Sequence, residues 1–447
     1  MAIHTAHALE PTPPGPDTAG MERLRLRGAQ AMLILLYAAA WGAVALLPLN
    51  QTDFDVFFLP AARIALAGHP LHIYTVRFDG PYPDANGPLA IAPLTVVAWV
   101  IQRLGWMQNV QLRRMVVMAV FSLFALLLSR EALNALDAML PRPLTRWGRL
   151  GAYAVIALSP ALWHAVLLYG HIELPIMLAF VLFATRSLGM RRVIMAGIAL
   201  GLAILTRSMA VLYLMGLVMV ELRWRRWRDA AILGLGAVAT TIAGLLPFWL
   251  ADAHDVAYSL VQFRDSLPVS GGSIWAFAIG TPLRTFAQMH DSLVVVIAAA
   301  IIISVTLLIR RDIDVRTRDI YALLLLSEIS FPLFIKTLWP YYFLGLYVFA
   351  ALWWLLDIAR LQRGEQRVWR WLLGALIPVL AVAGGVLGEA GVTSSLSTGT
   401  WQNQWSVAEC ANLLLMLGLA WWWLSRERKP GATARSGAIM AEEPSRL

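Results

Sequence analysis

The chain reads as an all-α, polytopic membrane protein of about twelve transmembrane helices, and three observations lead there. Hydrophobic residues make up 59% of its 447 positions and charged residues only 14%, with a mean hydropathy of +0.66, too apolar for a soluble domain. Apolar runs recur from residue 31 to the tail, each close to the roughly 20 residues that cross a bilayer core. Arginines gather in the short loops between those runs. A backbone in lipid must satisfy its own hydrogen bonds, so the runs are expected to be helices.

The net charge of +9 invites a nucleic-acid reading in a soluble protein. Here its distribution follows the positive-inside rule, and nucleic acid is rejected as a partner. The single cysteine, Cys410, rules out an intramolecular disulfide framework and a cysteine-based metal cluster.

Residues 1–28 are rich in proline and polar residues and form an expected cytoplasmic tail without a cleavable signal peptide. Arg23, Arg25 and Arg27 precede the first span, 31–49, which puts the N-terminus inside and 50–87 outside. Further spans are expected at 115–133, 151–168, 174–188, 193–205, 210–220, 230–250, 292–309, 320–335, 342–356, 371–387 and 407–424. Basic loops at 191–192, 223–228, 310–318, 360–370 and 426–429 mark the inside, and the tryptophans among them are expected interface anchors. The apolar segment 88–104 either crosses or lies on the outer face. The second placement keeps every basic loop from Arg142 onward inside, although it leaves Arg113 and Arg114 outside. Residues 29–428 form one domain with outer loops at 50–87 and 251–290, followed by a second cytoplasmic tail at 429–447. No internal repeat is visible, which weakens an inverted-repeat transporter reading.

The polar outer segments carry the chemistry. Thr52-Asp53-Phe54-Asp55-Val56-Phe57-Phe58-Leu59-Pro60-Ala61-Ala62-Arg63 leaves the first span with two carboxylates at the membrane edge, where a lipid-carried substrate meets a base. The spacing of 60–66 suits a short interfacial helix. Asp53 and Asp55 are two apart and cannot share a helical face. These residues fit a solvated loop with an acidic cap equally well.

With Thr-Asp-x-Asp, Val-Phe, Ala-Ala-Arg, a Gly and a Pro-Leu element, this loop resembles the first outer loop of GT-C membrane glycosyltransferases. The nearest likeness is to polyprenyl-phosphate-mannose-dependent mannosyltransferases of glycosyltransferase family 87 and the first mannosyltransferase of glycosylphosphatidylinositol assembly. Ser159-Pro160, Gly170-His171-Ile172-Glu173, the run from Ala196-Gly197 to Arg207, and Lys336-Thr337-Leu338-Trp339-Pro340-Tyr341-Tyr342-Phe343 extend the likeness to about residue 343. Each motif is loose alone, and their order supports the resemblance. The family commonly has Lys-Pro where this chain has Arg207-Ser208, and Gln or Asn at His171.

The resemblance implies inverting transfer of a hexose, mannose first, from a polyprenyl-phosphate donor to a lipid or glycan hydroxyl on the extracytoplasmic side. The leaving phosphodiester departs as a stable anion, so one carboxylate suffices, whereas glycosidases need two. Asp53 aligns with the family's catalytic base and Asp55 is the second candidate. The substrate-binding candidates are Arg63, His171, Glu173, Arg207, Arg264, Lys336 and Tyr342. Arg207 and Lys336 are cations for the donor phosphate, or else cations snorkelling to headgroups. Glu173 is a second carboxylate or a helix-start residue facing water. The segment around Gly271-Gly272, with Asp252, His254, Asp255, Arg264 and Asp265, reads as a lid or a solvated loop. No cofactor is assigned; divalent magnesium or manganese suits the oxygen ligands Asp53, Asp55 and Glu173. The expected location is the cell membrane, multi-pass, with both termini cytoplasmic. The alternative is a transporter or lipid flippase with Glu328, Arg207 and Lys336 along its path, and a third reading is a glycan ligase or polymerase.

Overall fold

The structure, a computed structural model, describes residues 53–75, 86–140, 143–263, 267, 269, 272–278, 281–358, 361, 368–398 and 403–426. The expected first span, both tails, Arg142, Arg264, Asp265 and Gly271 lie outside the described residues.

Every described regular element is a helix. Helices α1 (Leu59–Leu66), α2 (Pro88–Arg103), α3 (Val110–Met139) and α4 (Arg146–Ala157) come first, then α5 (Glu173–Gly189), α6 (Val193–Thr206), α7 (Val211–Arg223) and α8 (Trp227–Ala251). Helices α9 (Pro282–Ile309), α10 (Asp319–Phe334), α11 (Phe343–Leu356), α12 (Leu376–Thr398) and α13 (Gln404–Arg426) complete the bundle. The eleven expected spans that fall among the described residues are all helical in their main part. Among the described residues, five helical segments are long and apolar enough to cross a membrane: Val110–Met139, Trp227–Ala251, Met289–Ile309, Val368–Ser395 and Gln404–Arg426. A sixth forms if Arg146–Ala157 and Pro160–Leu168, bent by 41°, act as one span.

Length separates the remaining helices from the expectation of about twelve crossings. Helices α6 and α11 have 14 residues each and α7 has 13, about 20 Å of rise against a hydrocarbon core of about 30 Å. Helix α2, 16 residues long, is similarly short, and it packs on α1 and α6. The buried face of α1, formed by Leu59, Ala61, Ala62 and Ile64, is turned into the protein.

Two packed groups build the bundle. In one, α6 lies between α5 and α8, and α3 packs on α5. In the other, α9, α10, α11 and α12 pack in sequence and α13 closes on α12. Helices α10 and α11 are almost wholly buried; α11 is apolar around its circumference, the pattern that such an environment demands, and α10 carries Asp319, Ser327, Glu328 and Ser330 within it. Between α6 and α8 the backbones approach closely at Gly197 and Gly201. A side-chain carbon at Gly197 would stand 2.9 Å from the Leu233 carbonyl, and one at Gly201 would stand 2.7 Å from that of Ala237. Small residues four apart permit this contact in lipid, where packing replaces the hydrophobic effect as the attraction between helices.

One junction places the site. The Gly87 amide donates to the Thr206 carbonyl at 3.1 Å, so the start of α2 abuts the end of α6. A side chain at Gly87 would overlap the Leu205 carbonyl. Asn86 and Arg207 therefore sit at the same end of the bundle and line one cavity.

Candidate functional site

Three five-residue π-helical turns, Phe54–Phe58, His164–Leu168 and Tyr258–Gln262, surround that end. Wide turns of this kind re-aim side chains and are frequent at functional sites. Asp53 directly precedes the first, Tyr169-Gly170-His171 follow the second, and Phe263 follows the third. Phe54 and Phe58 are buried; Phe54 meets the edge of Phe121, and Phe58 meets His171 with ring centroids 5.8 Å apart. Gly170 adopts φ +77°, and a side-chain carbon there would stand 3.1 Å from the Phe54 Cβ. Only glycine combines that backbone with that contact. The turn returns the His171 amide to the Ala165 carbonyl at 3.0 Å.

The site is a chain of alternating charges. His171 Nε2 meets Asp53 Oδ2 at 2.8 Å, and Nδ1 meets Glu173 Oε1. Arg207 Nη1 donates to the same Glu173 oxygen. With a carboxylate on each ring nitrogen, His171 is a doubly protonated imidazolium. Burial opposes that charge, but Glu173 and Asp53 outweigh burial and raise the histidine above its ordinary range. Burial likewise works against Arg207, and Glu173 holds it charged. His171 lies over Tyr341 with ring centroids 3.7 Å apart. The Arg207 guanidinium stands 5.1 Å from the Tyr342 ring and 5.8 Å from that of Tyr341, close enough for cation–π attraction.

Backbone breaks deliver the cations. Helix α6 ends at Thr206, Arg207 is extended, and the 3-10 turn Ser208–Ala210 leads into α7. Helix α10 contains Pro332 and ends at Phe334, whose carbonyl accepts from Trp275 Nε1 at 2.6 Å. The chain then passes through Lys336, 1% exposed, to the 3-10 turn Pro340–Tyr342. Asp53, His171, Arg207, Lys336 and Tyr342 line one cavity of about 120 Å³ together with Asn86, Asp291, Phe263 and Tyr341. Those last four were not among the sequence candidates for the site.

The other sequence candidates divide. Glu173 is fully buried behind the cavity and faces His171 and Arg207 instead of water. Asp55 points away and pairs with Arg113 Nη2 at 2.9 Å, which gives that arginine a local partner. Arg63 lies on α1 outside the cavity lining. In the lid segment, Asp252 caps Ala253–Ala257 by accepting from the Asp255 amide, and His254 is exposed. Gly272 packs instead against Glu409 of α13. Glu328 lies on the buried helix α10, its carboxyl against Gly345 of α11, away from the cavity lining. Asp53, Asp55 and Glu173 do not converge, and among the described residues no group of three or more His, Cys, Asp or Glu side chains is arranged to hold a metal ion.

Fold and site together define a helical membrane protein with a buried acid–base cluster at one end of its bundle. No family model and no curated protein matches the chain.

The His171 geometry predicts a pH dependence. Its raised folded pKa means that protonation stabilises the fold fully below the unfolded value of about 6.5, and that this contribution is lost as pH rises through the folded value. The melting temperature of the native protein is expected to fall over that alkaline window relative to His171→Asn. Parallel profiles for the two proteins would refute a charged His171.

Proposed function

We propose that the protein transfers a hexose, mannose first, from a polyprenyl-phosphate donor to a hydroxyl of a lipid or glycan acceptor on the extracytoplasmic side, with inversion. One observation carries the reading: Asp53 shares a small buried cavity with Arg207 and Lys336, a carboxylate base beside two cations suited to a phosphate. The bond between the sugar C1 and the phosphate oxygen breaks with its electron pair leaving on the phosphate. The acceptor oxygen forms the new bond to C1 from the opposite face, and its proton passes to Asp53. His171 holds the Asp53 carboxylate in place, and the sugar carries most of the positive charge at the transition state, so one positioned carboxylate serves the proton transfer. Lys336 and the Arg207 N–H groups not committed to Glu173 hold the phosphate.

The accompanying topology is multi-pass in the cell membrane, with about twelve crossings when the shorter buried helices are counted and both termini cytoplasmic. The test is transfer from radiolabelled polyprenyl-phosphate mannose to a membrane extract by purified protein in nanodiscs. Native protein is expected to form product, and Lys336→Met is expected to need about tenfold more donor, the scale of one charge-assisted contact. Labelled substrate accumulating inside proteoliposomes without product would replace the enzyme by a transporter.

A further inference from the structure

Beyond the aromatic wall of the site lies a second cleft, about 610 Å³ in volume and lined by His164, Glu389, Thr393, Ser394, Ser397 and Trp405. We propose that it binds the hexose of a glycan acceptor, an assignment that rests on the transfer reading for the word acceptor but not for the sugar.

Beside the apolar Val386 and Ala390, the polar part of the lining is chemically that of a sugar site. Its volume lies within the range of small-molecule pockets. A hexose offers hydroxyl donors to a carboxylate and to side-chain hydroxyls, and an apolar C–H face to an indole. Glu389 supplies the carboxylate, Thr393, Ser394 and Ser397 the hydroxyls, and Trp405, 39% exposed, the indole. Glu389 is pre-positioned: its Oε2 accepts from the Tyr169 hydroxyl at 2.7 Å and meets His164 Nε2 at 3.0 Å. Its side chain is 43% exposed, which leaves Oε1 for a ligand. Neither Arg nor Lys lines this cleft, so an anionic phosphate is disfavoured here and favoured beside Arg207 and Lys336. The two clefts therefore divide a neutral polyhydroxyl ligand from an anionic one.

Tyr169 joins them. Its ring centroid lies 5.1 Å from that of Tyr341 and 6.3 Å from that of His171, whose Nε2 meets Asp53. Burial raises the Tyr169 hydroxyl well above its ordinary range, with Glu389 and then Asp53 adding to the rise. The hydroxyl stays protonated and donates to Glu389. A sugar seated against Glu389 is thus two rings, Tyr169 and His171, away from the base.

The probes are octyl α-D-mannopyranoside and decaprenyl phosphate, each measured by saturation-transfer NMR on the full chain in nanodiscs against empty nanodiscs. The mannoside is expected to bind native protein and to bind Glu389→Gln and Trp405→Ala at least tenfold more weakly, with decaprenyl phosphate retained by both variants. That retention also reports that both variants are folded. Absence of mannoside binding to native protein, or equal affinity in both variants, overturns the proposal and leaves Trp405 an interface anchor. Cleft-dependent mannoside binding without any decaprenyl-phosphate binding upholds the sugar cleft and sinks the transfer reading instead.

Discussion

Asp53→Asn is expected to reduce hexose transfer by about two to four orders of magnitude, the range of a positioned general base. The substitution keeps the shape of the side chain and a hydrogen-bonding partner for His171 Nε2, 2.8 Å away. It replaces the carboxylate that takes the acceptor proton by a non-basic amide. Donor binding is expected to persist because Arg207 and Lys336 are untouched. Single-turnover transfer, measured together with retention of decaprenyl phosphate, separates the two effects. Loss of both would make Asp53 a structural partner of His171, and full activity would remove it as the base. Asp55 does not inherit the role, since it pairs with Arg113 outside the cavity lining.

Glu173→Ala is expected to cause the largest loss of stability among single substitutions in the site. Glu173 is 0% exposed and pairs with both His171 and Arg207. Its removal strands the buried Arg207 and leaves His171 to Asp53 alone, and breaking a buried pair from one side costs about 3 to 5 kcal/mol. The melting midpoint in detergent should drop accordingly. The double substitution Glu173→Met with Arg207→Met should recover much of that loss, because apolar side chains can replace a buried ion pair at little cost. It should nevertheless bind decaprenyl phosphate poorly, having lost one phosphate cation. A native midpoint in Glu173→Ala would show that the cluster carries no stabilising charge network.

Helices were legible in the sequence because they are dictated locally. The apolar runs, the basic loops and the break at Arg207 all lie in contiguous stretches, and helices occupy the expected places in every described segment. Their exact ends depended on neighbours: Pro160 bends what reads as one span, and His290 leaves helical geometry within α9. The site was legible in part. Asp53, His171, Arg207, Lys336 and Tyr342 stood out as polar residues beside apolar runs, and they line one cavity. Asn86, Asp291 and Glu389 did not stand out, because an isolated amide or carboxylate looks the same in sequence whether it meets water or another helix.

Composition and local pattern point to lipid as the solvent of this chain, and the consequences follow: a backbone in lipid closes its own hydrogen bonds, so apolar runs become helices, and charges fall at their ends. Which charges meet is a matter of packing. Glu173 reads equally as a site carboxylate or as a helix-start residue open to water, and the return of α6 against α5 buries it beneath Arg207. Asp53 and Asp55, two apart, already read as lying on different faces, and the fold supplies their partners, His171 for the first and Arg113 for the second. Contacts between residues 118 positions apart depend on how helices pack, and packing is a property of the whole bundle that no local stretch encodes.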